Sequence, residues 1–339
     1  MNARRTFHCI LLALLLSPVV LSCSSNPKAD VEVLTIYSGR NQQLVGPLIE
    51  RFQQSSGIRV QVRYGDSAEM ASTILEEGRN SPADLFFSQD AGALGALRGE
   101  NRLKKLPEEL LARVPRPFRC PDGFWVGTSG RVRVVVFNSG RLSEAEMPDS
   151  LSGFTDPKWK GRIGWAPANA SFQAFVTALR LSAGDDAALK WIRGIQANQP
   201  KVYAGNTAIV EAAGRGEIDV GFTNHYYLHR FLAERGESFS ARNYYPRAGG
   251  VETLVNVAGA AVLAGTKREG AALDFIAFLL SEEAQRFLVE STFEYPLAND
   301  APVPHGMKPL AEVAPPDFDL SRLGDLQGTL RMLAAAGAL

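Results

Sequence analysis

The sequence predicts an α/β fold with two lobes, each a mostly parallel sheet flanked by helices. Short β-type runs alternate with amphipathic helical stretches along most of the chain, which is the pattern of such a sheet. Two longer β runs, at 131–138 and 251–263, are long enough to cross between the lobes as hinge strands. A chain of 339 residues that is 45% hydrophobic is also large enough for two cores.

The alternation can be followed along the chain. Apolar and β-branched runs predict strands at residues 31–38, 57–64, 84–88, 131–138, 161–166, 217–223 and 251–263. Apolar residues at helical spacing predict helices at residues 42–54, 68–77, 172–181, 207–213, 271–280, 281–290 and 326–336. With crossovers near 131 and 255, lobe 1 spans 31–130 and 256–305, and lobe 2 spans 131–255 and 306–339. The cleft between the lobes is the expected ligand site.

The first residues have the features of a secretion signal. A basic start precedes an apolar stretch at 9–21 that is too short to span a membrane. The sequence Val-Leu-Ser-Cys that ends at Cys23 is similar to a bacterial lipobox, which predicts a signal peptide at 1–22 and a lipidated tether at 23–30. Ordinary signal cleavage nearby is the alternative. We therefore expect a periplasmic or cell-surface protein, held at the membrane by a lipid on Cys23.

Composition excludes several classes of protein. The 36 basic and 36 acidic residues cancel, which argues against nucleic acid as the main partner. The sequence contains no Gly-x-Ser-x-Gly motif, phosphate-binding loop or zinc-spaced Cys/His cluster, so nothing in it indicates an enzyme. Cys120 has no partner once the signal is removed and Cys23 is acylated, and we interpret it as a small structural residue. His225, His229 and His305 are expected on the surface or on helix faces.

Two adjacent tyrosines are the strongest candidate site. The apolar run at 217–223 predicts a buried strand, and Asn224 stands where a helix would need an N-cap. Tyr226 and Tyr227 would then open a helix just past the carboxyl end of a strand, the edge where α/β sheets bind ligands. Helix amides there favour phenolate over phenol, and two phenolates suit a hard cation such as Fe(III). The alternative is one tyrosine in the core and one at the surface.

Other strand-to-helix junctions carry polar residues that suit an anion. They are Ser38 to Asn41, Ser88 to Asp90, Asn169 to Ser171, Asn206 with Thr207, and Asn224. Each alone is most often a helix cap. Together, in a two-lobe protein, they could line one cavity with amide donors.

Seven motifs share one family resemblance. They are Ile36 to Asn41, Pro82 to Phe86, Ser129 to Arg133, Asn169 to Gln173, Asn206 to Ala208, Asn224 to Tyr227 and Glu294 to Leu297. Over essentially the whole mature chain, the sequence resembles the periplasmic ferric-iron-binding proteins of bacterial ABC transporters. These form a branch of the type II periplasmic binding proteins, which are two-lobed.

The resemblance implies a site and partners. Tyr226 and Tyr227 would ligate Fe(III) as the transported ligand, with a synergistic anion (carbonate, phosphate or citrate) beside it. The anion-binding positions that match are Asn169, Ala170, Ser171, Asn206 and Asn224 of the phosphate-using branch, and Arg131 or Arg133 of the carbonate-using branch. The partner would be an ABC transporter permease, and this protein would act as a monomer.

The chain also departs from the family pattern. Some members have a ligand His where this chain has Asn41, a ligand Glu where it has Gln89, and an extra Tyr where it has Asn169. Asn41, Gln89 and Asp90 therefore stay only possible first-lobe contacts, and amides are poor donors for Fe(III). Exogenous anions would fill the remaining positions, and the cargo could be a ferric chelate. The rival hypotheses are a binding protein for a metal-free anion, such as a phosphonate, and, more distantly, a hydrolytic enzyme.

Overall fold

A mixed sheet of ten strands runs through residues 33–298 and 306–339, the part of the chain that this computed structural model describes. The predicted signal peptide at 1–22, Cys23 with its tether, and His305 lie outside the described residues. Within the described ranges, each helix is too short or too polar to cross a membrane.

The strands and helices alternate as expected for an α/β protein. The strands are β1 (Val33–Ser38), β2 (Arg59–Tyr64), β3 (Leu85–Ser88), β4 (Val126–Asn138), β5 (Ile163–Trp165), β6 (Lys201–Val202), β7 (Val220–Asn224), β8 (Ala241–Tyr244), β9 (Val255–Val262) and β10 (Tyr295–Pro296). The helices are α1 (Gln42–Ser56), α2 (Ser67–Glu77), α3 (Ala91–Gly99), α4 (Glu108–Leu111), α5 (Ala170–Ala183), α6 (Asp185–Ala197), α7 (Asn206–Gly214), α8 (Tyr226–Arg235), α9 (Glu269–Leu279), α10 (Glu282–Thr292), α11 (Leu310–Val313) and α12 (Leu326–Ala335).

Strand β4 joins two parts of the sheet. All thirteen of its residues are buried. Its first part, from Val126 to Val132, pairs with β9, and its second part, from Arg133 to Phe137, pairs with β7. We call the part that contains β1, β2, β3 and β9 the first half, and the part that contains β5 to β8 the second half. The strand changes partner between Val132 and Arg133.

The second crossover strand was predicted incorrectly. The run at 251–263 is not one strand, because a 3-10 turn at Gly250–Thr253 precedes β9. Gly249 and Gly250 stand just before the predicted run, and both have φ of 64° where this turn starts. Strand β9 then pairs with β3 and with the first part of β4, so it lies wholly in the first half. The chain has already returned to that half at Leu254.

The α/β fold class is confirmed, but the strand directions are more mixed than predicted. Strand β1 runs parallel to β2 and β3, and β5 runs parallel to β6 and β7. Every pairing that involves β4 or β9 is antiparallel. The outer strands thus follow the parallel prediction, while β4, which joins the two halves, and its neighbour β9 run against the strands beside them.

Each half has its own apolar core. The first core contains Phe86, Phe87 and Phe275, and the second contains Trp165 and Phe222. A smaller cluster between α7 and α8 supports the tyrosine helix.

The C-terminal tail packs on both cores. Met307, Val313, Leu320 and Leu323 pack in the first core, and Met332 with Leu333 in the second. The prediction had placed 306–339 wholly on lobe 2. That prediction followed the order of the chain, whereas in the structure the tail divides its contacts between the two cores. The other lobe boundaries stay a prediction.

Candidate metal and anion site

Tyr226 and Tyr227 lie side by side at the start of α8. Their ring centroids are 4.2 Å apart and their planes differ by 28°. Tyr226 is 7% exposed and Tyr227 is half-buried. Both line one cavity of about 630 Å³, which we call the tyrosine cavity. Two phenol oxygens can therefore reach the same bound ion, which the alternative of one core and one surface tyrosine would not allow.

Asn224 is not the N-cap of this helix. It is the last residue of β7, and its Oδ1 accepts a hydrogen bond from Arg133 Nη1 at 3.1 Å. The capping position falls on His225, which has helical backbone angles and whose side chain accepts no capping hydrogen bond. Strand β7 extends one residue further than predicted, because Arg133 binds the Asn224 side chain. Within the described residues, the first amides of α8 are thus left without a side-chain cap.

His225 is buried, so its predicted position on the surface or a helix face is wrong. Val132 N–H donates to Nδ1 at 3.1 Å, which places the ring proton on Nε2, 2.8 Å from the Phe293 carbonyl oxygen. Burial lowers the pKa of His225 to about 3, so the ring is neutral. His229 is also buried, and burial lowers its pKa to about 4. His225 therefore fixes the backbone beside Tyr226 to β4 and to the segment after α10.

Burial determines the protonation of Tyr226 in the metal-free protein. Burial, reinforced by the neighbouring Tyr227, raises the pKa of the Tyr226 phenol far above its usual range, although the Arg131 charge opposes this shift. The prediction that helix amides would favour phenolate is thus outweighed by desolvation. A cation that binds here must displace a proton.

The first half supplies the opposite wall of the tyrosine cavity. Asn41 and Gln89 line it. The Asn41 side chain caps α1 by accepting from Leu44 N–H at 3.0 Å. Asp90, which is not part of this wall, caps α3 by accepting from Ala93 N–H at 3.1 Å. Both predicted contacts thus act as helix caps, and Gln42 lines the tyrosine cavity beside Asn41 and Gln89.

Gly39 allows this wall to form. A Cβ atom at Gly39 would lie 2.1 Å from Ser67 Oγ, which is too close for any other residue. Ser67 Oγ in turn accepts from Gln89 N–H at 2.8 Å. The ends of β1 and β3 and the start of α2 are thereby held together at the edge of the cavity.

A buried ion pair lines the tyrosine cavity and was not foreseen. Arg40 donates two hydrogen bonds to the Glu294 carboxylate, at 3.0 and 3.1 Å, and Ser129 donates a third. Burial alone would raise the pKa of Glu294, but Arg40, Arg131 and these hydrogen bonds lower it to about 2. The carboxylate is ionised, and these three hydrogen bonds occupy its oxygens. It therefore contributes negative charge to the cavity rather than a free metal ligand.

Arg230 also borders the tyrosine cavity. Its guanidinium lies 4.9 Å from the Tyr226 ring centroid and 5.6 Å from that of Tyr227. The spacing of four residues from Tyr226 on one helix could have shown this contact in the sequence. The exposed cation sits where it can attract an anionic ligand.

The predicted anion residues form one hydrogen-bonded network. Asn169 caps α5, and its Oδ1 accepts from Ser171 N–H at 3.1 Å and from Asn206 Nδ2 at 3.3 Å. Asn206 Nδ2 also donates to Ser171 Oγ at 3.0 Å, and Arg133 Nη1 reaches Ser171 Oγ at 3.3 Å. Asn206 is the first residue of α7 rather than its cap, because Gly205 takes that position. Four of the predicted residues, Asn169, Ser171, Asn206 and Asn224, thus form one network with Arg133, which bonds directly to Ser171 and Asn224.

The two arginines can now be distinguished. Arg131 donates to the Gln89 carbonyl oxygen, so its charge is directed towards the first half. Arg133 is 5% exposed, and among the described residues its Nη2 has no hydrogen-bond partner. Burial lowers its pKa to about 9, and the nearby Tyr227 and Tyr226 oppose this shift, so it stays cationic at neutral pH. A buried cation with an unused donor is the arrangement that an anion would complete.

A second cavity adjoins the first. It has a volume of about 530 Å³, and we call it the arginine cavity because Arg131 and Arg133 line it. Ala170, Ser171 and Asn224 line it too, while Gln89 lines both cavities. Another cavity of about 660 Å³, near Asp149 and Arg247, contains none of the predicted site residues.

Proteins similar in sequence to this chain are described as solute-binding or iron-binding proteins. A match to the family described as bacterial extracellular solute-binding protein covers residues 80–322. The chain is 34% identical over 321 residues to the major ferric iron-binding protein of Neisseria meningitidis serogroup B, over 94% of this chain and 96% of that protein. It is 30% identical over 330 residues to the Fe(3+)-binding periplasmic protein of Serratia marcescens, over 97% of each chain.

Two solved structures that are similar to this one contain bound iron. Iron-bound HitA from Pseudomonas aeruginosa has a TM-score of 0.79 at 33% identity, covering 90% of this chain and 99% of that chain. The Trichodesmium FutA protein in complex with iron and citrate ligands has a TM-score of 0.82 at 26% identity, covering 91% and 100%. Fold and site together define a type II periplasmic binding protein. The chain belongs to the bacterial extracellular solute-binding protein family, which confirms the resemblance found in its motifs. The relatives are binding proteins rather than enzymes.

Proposed function

We propose that the protein captures Fe(III) together with a synergistic anion and delivers it to an ABC transporter permease. The observation that carries this proposal is the stacked Tyr226 and Tyr227 pair, whose phenols share one cavity. Phenolate oxygens are hard donors suited to Fe(III). Relatives named as ferric iron-binding proteins, one structure described as iron-bound and one in complex with iron and citrate support the same conclusion.

An anion is needed because the protein supplies few ligands. Among residues 33–298 and 306–339, no group of three or more His, Cys, Asp and Glu side chains could hold a metal ion. The two tyrosines alone supply two oxygen donors, which is fewer than Fe(III) binds, and we infer that an anion provides some of the others. Carbonate, phosphate or citrate could bind at Arg133 and Ser171 and provide these donors.

The proposal is tested by loading the purified protein with Fe(III) and each anion in turn. We expect bound iron and a visible phenolate-to-iron absorption band that depends on the anion. Small-angle scattering should also show a smaller radius of gyration when loaded, since a ligand that bridges both lobes favours the closed form. Iron-free protein after loading with every anion would refute the function.

Binding of a metal-free anion is the second candidate, because Arg133 and its network already form an anion site. Calorimetry with a phosphonate, in the absence of metal, separates the two. Tight binding without metal, and no iron band, would favour this candidate.

Iron binding should weaken steeply as pH falls. Burial holds Tyr226 as a phenol, so Fe(III) must release its proton, and Tyr227 must also lose its proton to act as a phenolate. Each proton released costs about tenfold in apparent affinity per pH unit below the pKa, so two phenols give about a hundredfold. Competition with a chelator of known affinity between pH 6 and 8 measures this slope. The Tyr226→Phe variant should halve the slope on a logarithmic scale, and a flat profile would contradict phenolate ligation.

Arg133 should matter more than Arg131 for the anion. Replacing Arg133 with Gln removes a charged donor whose Nη2 is unpaired within the described part of the chain, and we expect anion affinity to fall about 10- to 100-fold. Arg131→Gln is the comparison and should cost less, because the Arg131 guanidinium already donates a hydrogen bond to the Gln89 carbonyl oxygen and, among the described residues, only its Nε is buried without a partner. The measurement is the anion concentration that gives half of the iron band. Equal losses in the two variants would contradict this assignment.

We also propose that Cys23 carries a lipid that anchors the protein in the periplasm or at the cell surface. The lipobox-like sequence before Cys23 supports this. Acyl chains should place the native protein in the membrane fraction, and Cys23→Ala should release it or block its processing. A native protein that is wholly soluble, with an unmodified N-terminus, would contradict the anchor.

A further inference from the structure

The arginine cavity has two chemically different ends. The polar end holds Arg133, Ser171 and Asn224, which belong to the anion network described above. About half of the remaining lining residues are apolar and come from both halves, and the others include Asp90, Gln173 and Asn256. The apolar side chains include Ala71, Leu75, Ala93, Ala174, Leu254 and Leu326.

This apolar wall is not needed for a small inorganic anion. Carbonate or phosphate would be satisfied by the polar end alone, which already has charged and neutral donors within one network. The cavity nevertheless extends to about 530 Å³, within the range of sites for small organic molecules. Leu75 is half-buried and Leu326 is 39% exposed, so apolar surface at the cavity remains open to a ligand. Covering such surface is favourable in water.

The cationic end is also incomplete. Among the described residues, the Arg133 Nη2 and the Arg131 Nε are buried without a hydrogen-bond partner. Both side chains are more than nine-tenths buried. Leaving such donors unpaired is costly, and an acidic head group at this end would satisfy them.

We propose that the anion taken by this protein is organic: a carboxylate or phosphonate head at Arg133, joined to an apolar body that lies along the half-buried Leu75, Ala93 and Ala174. The inference rests on the proposed function and deepens it, since it names the chemical class of the anion. The tyrosine cavity, lined by charged and polar groups such as Arg40 and Glu294, would hold the metal end of the complex.

The test compares two anions with the same head group, phenylphosphonate and methylphosphonate. Their heads are matched, so differences in iron chelation by the head itself largely cancel. With Fe(III) supplied from a chelate buffer, we expect phenylphosphonate to give half of the visible band at a concentration at least about tenfold lower, from burial of the ring. Calorimetry on the iron-free protein should show the same order of affinity. A ratio near one in both measurements would overturn the inference.

A substitution that fills the cavity provides a second test. Ala174 is a half-buried residue of α5 on the apolar wall, and Ala174→Leu should remove the preference for phenylphosphonate without touching Arg133. Ala187→Leu, at an exposed position of α6, is the control for an added leucine and should keep the preference. An unchanged preference in Ala174→Leu would also overturn the inference.

The two proposals fail in different ways. Iron binding with equal use of both phosphonates would leave the iron function standing and overturn the organic anion. A preference for phenylphosphonate in calorimetry, with no iron bound under any condition, would do the opposite.

Discussion

The double variant Tyr226→Phe, Tyr227→Phe should lose both the visible iron band and tight iron binding. Phenylalanine keeps the stacked rings, which lie 4.2 Å apart, and removes only the oxygens. Loss of a residue that merely orients a metal ligand typically lowers affinity about 10- to 100-fold, so loss of each ligand should exceed that range. The measurement is iron retention against a competing chelator, together with the absorption spectrum.

The matched control for this change is Tyr203→Phe. Tyr203 packs beside the same small cluster as Tyr227 but does not line the tyrosine cavity. It should keep the band and the affinity. If the double variant bound Fe(III) as tightly as the wild type in the same buffer, the assignment of the metal ligands would be wrong.

Breaking the buried Arg40–Glu294 pair should have the largest effect on stability. Arg40→Met would leave the Glu294 carboxylate buried with its bidentate partner removed. Removing one partner of a buried pair typically costs about 3 to 5 kcal/mol. Arg51→Met is the control, because Arg51 pairs with Glu283 at the surface, and it should cost about 1 kcal/mol or less. Denaturant unfolding at pH 7 measures both.

The same pair fixes the sign of a pH effect. The pKa of Glu294 is lowered from 4.5 to about 2 in the folded protein. The stability that it contributes is therefore present above pH 4.5 and is lost as pH falls towards 2. The double variant Arg40→Met, Glu294→Gln should lack this loss and should be less destabilised than the sum of its single changes. Additive losses and an unchanged acid profile would show that the pair is not coupled.

Local pattern predicted the parts of the site that lie within one strand-to-helix junction. The tyrosines at the start of α8 and the cap at Asn169 both follow from residues that are neighbours in the chain. Arg40 and Glu294 are 254 positions apart, and no local pattern indicates that they meet.

The incorrect predictions also have tertiary causes. Asn224 has the residue type of a helix cap, but a side chain from a neighbouring strand, Arg133, takes it up instead. His225 was predicted at the surface or on a helix face because nothing beside it in sequence shows that β4 and the segment after α10 close over it. The long run at 251–263 is divided because its first residues belong to a 3-10 turn at Gly250–Thr253, which the β-type residue pattern does not show.

The change of partner along β4 has a consequence for how cargo leaves the protein. Arg133 is the first residue after the change: its N–H donates to the Leu254 carbonyl oxygen at 2.9 Å, and its side chain holds the anion network. One residue thus belongs to both the joint between the halves and the anion site. By thermodynamic reciprocity, an anion that favours one angle at this joint is itself held less tightly at any other angle. A permease that holds the halves apart would therefore lower the affinity for the anion, and with it the affinity for the iron that the anion helps to bind.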